Sequence, residues 1–191
     1  MDNALLSRDE KVSATFCIIK CEGNNDITLE NLTITGGNST NGGGVKLDGG
    51  EVKIIKCNIY GNEGILGGGG IHSQAKKLTL TSCDISKNSV MWAGGGISFI
   101  GGTITITDCN ISNNTTVLQA GGLGAAGSKI TMNNCKVTGN NATKGNGGGI
   151  SLIGKATLTA ISCDISGNKA PESADIAVEE GSTYKTDKEE K

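Results

Sequence analysis

Apolar and polar residues alternate in short runs along most of the chain, as in KLTLT at 77–81, TITIT at 103–107 and KITMN at 129–133. A period of two sends successive side chains to opposite faces, so these runs predict strands buried on one side, and no ten-residue stretch carries the helical period. In LTLTSCDIS, Leu78 and Leu80 share one parity while Cys83 and Ile85 have the other. The chain must therefore turn near Thr81 and Ser82 to keep all four inward.

The alternating runs recur. The apolar residues closing the glycine runs are Val45, Ile71, Ile97, Leu123 and Ile150, at steps of 26, 26, 26 and 27. Cys57, Cys83, Cys109, Cys135 and Cys163 follow nearly the same ruler. Each is trailed two residues on by Ile59, Ile85, Ile111, Val137 or Ile165, and five residues on by Asn62, Asn88, Asn114, Asn140 or Asn168. Leu32 and Ile34 fill the first two of these places in a shorter leading copy. Three short strands per 26 residues, with bends too short for an antiparallel return, predict stacked parallel coils: an all-β, right-handed parallel β-helix of about six turns. At the usual strand spacing the rod is about 30 Å long. The expected domain spans residues 12–178, after a disordered start at 1–11 and before a charged, solvated tail at 179–191. No capping helix is visible for the two open ends, which suggests a segment of a longer chain.

Composition narrows the function classes. The 191 residues include 31 glycines, one proline and only 3% aromatics, without collagen triplets, and the net charge is −2. No broad positive field exists to draw nucleic acid or an anionic membrane, and no apolar run is long enough to span a bilayer or form an export signal. The glycine triplets lack the Lys-Ser/Thr of a phosphate loop and precede strands, so they read as bends where turns approach closely.

The repeated residues read as architecture. The cysteine ladder predicts buried free thiols, because parallel stacked side chains poorly match disulfide geometry and metal sites want closer pairs or histidines. The one histidine, His72, has outward parity beside Ile71. Cys17 and Cys21 stand apart, their state open. The asparagine column predicts tight turns and a stacked amide ladder. Outward threonines form a hydroxyl face, with Thr79, Thr105, Thr131 and Thr157 at steps of 26 and Thr81 and Thr107 alongside; such ranks resemble those of insect-type ice-binding solenoids. The non-repeating loops EGILG, VMWAG and TTVLQAGG carry Ile65, Leu66, Met91, Trp92, Val117 and Leu118 at matching places on neighbouring turns, a candidate contact strip. The alternative is that these six cover the coil's own core. No catalytic, metal or cofactor residues are assigned: Arg8 is the only arginine, and the outward acids Asp48, Asp84, Asp108 and Asp164 fall on scattered rungs without a repeated basic companion.

The motifs GGGV, GGGI, GGGI, GGL and GGGI, paired with IYGN, ISKN, ISNN, VTGN and ISGN, resemble the GGA(I/L/V) and FxxN repeat of chlamydial polymorphic membrane proteins over residues 27–178. That resemblance implies an exported, surface-displayed autotransporter passenger acting as a non-enzymatic adhesin, with a host-cell surface protein or glycan as partner and a location outside the cell or at the outer membrane. The stretch ITLENLTITGG also resembles pectin lyase-like enzymes, which implies polysaccharide binding or degradation as the alternative.

Overall fold

Each turn of the chain lays down four short extended segments separated by corners. In one turn they are Glu51–Ile55, Asn58–Tyr60, Glu63–Gly67 and Ile71–Ser73. The structure, a computed structural model, describes residues 4–7, 16–24 and 26–187. Arg8 and most of the expected disordered start lie outside the described residues, as do the last four residues of the charged tail.

Equivalent segments of successive turns pair in parallel and build four sheets that run the length of the coil. Sheet I contains the Glu51–Ile55 segment and its equivalents from Ile27–Glu30 to Thr183–Thr186. Sheet II contains Asn58–Tyr60, sheet III Glu63–Gly67 and sheet IV Ile71–Ser73. Sheets I, II and IV have seven strands and sheet III has five. The molecule is thus a parallel β-solenoid of about seven turns of ~26 residues, with no helix among the described residues.

The turn count exceeds the six expected because both flanks add a rung. Ala4–Ser7, placed in the disordered start by sequence, pairs with Leu32–Thr35. Thr183–Thr186, placed in the solvated tail, pairs with Thr157–Ile161 and sets Tyr184 beside Leu158 against the end of the core. Charge in TYKTD hid a period-two pattern of which only alternate positions need face inward.

The core is a column inside the coil. Sheet I contributes Val52 and Ile54, Leu78 and Leu80, and Ile104 and Ile106; sheet II contributes Ile59, Ile85 and Ile111; sheet IV contributes Ile71, Ile97 and Phe99, all essentially inaccessible. Register keeps like on like, with Leu80 between Ile54 and Ile106 and Ile85 between Ile59 and Ile111. The parity reset between sheets I and II is a single residue in the left-handed region, namely Lys56, Ser82, Asp108, Asn134 or Ser162. One such residue turns the chain so that the cysteine after it faces inward again.

Candidate functional site

The ladders fix where the outer surface can vary. Cys57, Cys83, Cys109, Cys135 and Cys163 are buried free thiols stacked behind the corner between sheets I and II. Burial pushes the Cys57 thiol up and raises Cys135 to about 11, so those two sulfurs stay protonated at neutral pH, whereas the hydrogen bond from Cys109 lowers the Cys83 thiol. The asparagine column lies at the next corner. The Asn62 side-chain amide donates to Asn88 Oδ1 at 3.0 Å, Asn88 to Asn114 at 3.0 Å, Asn114 to Asn140 at 3.0 Å and Asn140 to Asn168 at 2.9 Å. Each Oδ1 from Asn88 to Asn168 also accepts the backbone N–H of the preceding rung's asparagine. The left-handed residue at this corner is the one before each asparagine: Gly61, Lys87, Asn113, Gly139 or Gly167. The ladder asparagine supplies amide bonds, while its neighbour supplies the turn.

The threonine face lies on the outside of sheet I, where Thr79, Thr105 and Thr131 stack in register, as do Thr81 and Thr107. Its continuation differs from the 26-residue count. Thr131 meets Thr159, while Thr157 lies beside Lys129, because the turn that follows holds two extra residues. The second rank ends in Asn133 and Ile161, and Lys53 and Ile55 occupy the rung before Thr79 and Thr81. The hydroxyl face therefore extends over few rungs.

Among the outward acids, Asp84 and Asp108 share one shallow depression with Lys136, a juxtaposition that scattered sequence positions did not suggest. Both carboxylates are already engaged, Asp84 by the Asn110 amide at 2.8 Å and Asp108 by the Asn134 amide at 2.6 Å.

The six loop residues form a strip along sheet III. The inward places of that sheet are the small or short side chains of Gly64, Val90, Thr116 and Ala142, stacked in register. Strict alternation would bury the second residue after each of these. Instead both following residues face outward: Ile65 and Leu66 sit where the register of Glu63–Gly67 with the preceding turn shifts between Gly64 and Gly67, and on the next two turns the strand ends at Val90 or Thr116. Ile65, Leu66, Met91 and Trp92 are exposed, the last two by more than half (53% and 55%), while Val117 and Leu118 are half-buried. Backbone bonds hold them in columns: Trp92 N–H donates to Ile65 O at 3.1 Å, and Leu118 N–H to Met91 O at 3.2 Å. The strip is bounded by exposed Thr40 on one side and by Thr143 and Lys144 on the other.

Beside the strip is a feature that parity alone did not reveal. Past the bend, Gly67, Ala93 and Gln119 stack as a parallel ladder. They form one wall of a groove of about 280 Å³ over the outer face of sheet IV. Its floor is the column His72, Ser98, Gly124 and Ser151, in register on four turns. Sequence placed His72 outward, and it does point away from the core; the groove wall nonetheless buries it to 5% exposure. Its Nδ1 has no hydrogen-bond partner. Burial lowers the His72 pKa, with nearby Asp48 opposing that shift and Lys46 adding to it. The sequence signal for the groove is the run of small outward residues at 98, 124 and 151 opposite glycine or alanine at 67 and 93, readable only once the register is known.

No curated protein and no solved structure matches the chain significantly. A family model describing the right handed beta helix region matches residues 17–188, in accord with the stacked parallel turns, and the chain belongs to that family.

Proposed function

We propose that the chain is a non-catalytic display scaffold of an exported surface protein, adhesin-like, which contacts a partner protein through the strip of Ile65, Leu66, Met91, Trp92, Val117 and Leu118. The observation that carries this reading is the strip itself: three consecutive turns each offer two outward apolar side chains at one place, where the flanking turns offer polar ones. Contiguous exposed apolar surface rimmed by polar residues is the physical mark of an association site, and Trp is the residue type most enriched at binding hot spots. The resemblance to the chlamydial polymorphic membrane protein repeat supports the surface location and a host-cell protein as partner. The ladders and the core explain the repeated residues without any chemistry, so function is left to the places that do not repeat.

The test is a double substitution, Trp92→Ser with Leu118→Ser, with binding of the labelled chain to cultured animal cells read by flow cytometry. The reading expects cell binding to fall about tenfold, the equivalent of ~1.4 kcal/mol, with an unchanged urea midpoint. Equal binding by both proteins overturns it, and so does a lowered midpoint with binding retained, which would make the strip a cover for the coil.

A further inference from the structure

The exposed strip contains one side chain whose polarity a covalent reaction can reverse. The chain has three methionines. Met1 lies outside the described residues, Met132 is sealed in the core at 0% exposure, and Met91 is 53% exposed on the middle turn of the strip. The same place on the turns before and after holds Ile65 and Val117, branched side chains that suit a pleated surface. Nothing in the backbone requires a thioether between them. Ile65, Val90, Met91 and Val117 line part of a hollow of about 270 Å³ along the strip.

The cysteines do not offer an equivalent site. Those of the ladder are buried, and burial pushes the Cys17 and Cys21 thiols up, so little of either is the reactive thiolate at neutral pH. A thioether has no proton to lose and reacts wherever its sulfur can be reached.

We infer that Met91 is an oxidation site, at which a peroxide converts the thioether to the sulfoxide and so weakens the strip's hold on a partner; this rests on reading the strip as a contact surface. A sulfur lone pair attacks one peroxide oxygen, the S–O bond forms as the O–O bond breaks, and the second oxygen leaves as water with the proton of the first. The sulfur is oxidised and the peroxide reduced. The product is strongly polar, and an apolar partner surface laid over it would strip its water without replacing the hydrogen bonds. The backbone bond from Leu118 N–H to Met91 O, at 3.2 Å, does not involve the sulfur, so the turn keeps its shape. The change is reversible, because methionine sulfoxide is a substrate for dedicated reductases.

The experiment treats the native chain with hydrogen peroxide at pH 6, where Cys17 and Cys21 are almost wholly protonated, and then with dithiothreitol to reverse thiol adducts. Peptide mapping by mass is expected to place one added oxygen on Met91 and none on Met132. Retention on a phenyl column should shorten, binding to cultured animal cells should fall about tenfold, and the urea midpoint should stay unchanged. Methionine sulfoxide reductase should restore retention and binding together. In Met91→Leu, whatever its own starting values, peroxide should alter neither. Unchanged retention with Met91 oxidised overturns the inference, as do a lowered urea midpoint, equal oxidation of Met132, or an equal peroxide effect in Met91→Leu. If the untreated chain binds no cells, the partner reading fails by itself, and retention still decides whether Met91 governs the polarity of the strip.

Discussion

A single residue, His72, couples the groove to pH. Its burial disfavours the imidazolium, so its folded pKa lies below the ordinary 6.5. As pH falls through 6.5 the unfolded chain takes up the proton first, so the His72 contribution to stability is complete above that pH and is lost as pH drops toward the folded value. The groups facing it have opposite effects: Lys46 lowers the folded pKa further and Asp48 raises it. The expected outcome is that urea midpoints of the native chain fall from pH 7.5 to pH 5 by more than those of His72→Gln, which cannot titrate; parallel profiles would show that the ring titrates as if in water. Parity sufficed to place His72 outside the core. Its burial was not legible, because the wall beside it is built by Gly67, Ala93 and Gln119, whose place over sheet IV follows from the register of the turns and not from parity.

At the scale of one element, the asparagine ladder is where a single change does most damage. Asn88 accepts both the backbone and the side-chain N–H of Asn62, and donates to Ile59 O at 2.9 Å and Asn114 Oδ1 at 3.0 Å. Removing it leaves buried donors of Asn62 and the carbonyl of Ile59 short of partners, in a place water does not reach. Asn88→Ala is therefore expected to cost about 3 kcal/mol, seen as a lower urea midpoint at unchanged m-value; a loss under ~0.5 kcal/mol, the scale of an ordinary surface substitution, would mean the ladder is decoration. The ladder's spacing was legible because every rung repeats it. Which residue takes the left-handed conformation was not, since Gly61, Lys87 and Asn113 share no side-chain chemistry and are united only by preceding the ladder. The threonine register failed for a related reason. Residues inserted between Thr131 and Thr159 shift the ruler by two, and arithmetic on sequence alone cannot say on which side of a strand an insertion falls.

The whole molecule is a stack in which each turn touches mainly the turns before and after it, and stability in such arrays is close to a sum over repeats and their interfaces. That arrangement was largely legible, because a 26-residue period in apolar, cysteine and asparagine positions at once admits few other folds. The outermost rungs at Ala4–Ser7 and Thr183–Thr186 escaped notice because there the period is no longer repeated. If the stack is modular, one turn should be removable. Residues 77–102 are a full turn, and their deletion joins Lys76 to Thr103, the residue that already pairs with Lys77 in register. Thr103 would then take the place of Lys77 beside Glu51, Ile104 would meet Val52 and Ile106 would meet Ile54. Leu123 would likewise close onto Ile71, and Asn114 onto Asn62, leaving both ladders unbroken. The shortened chain is expected to fold with a β-type far-UV spectrum and a cooperative urea transition. Because m scales with the surface exposed on unfolding, its m-value should be smaller by roughly one part in seven. A chain that unfolds or aggregates at this junction would show that neighbouring turns are not interchangeable, and that stability is held by contacts particular to the excised rung, such as Phe99 in the core.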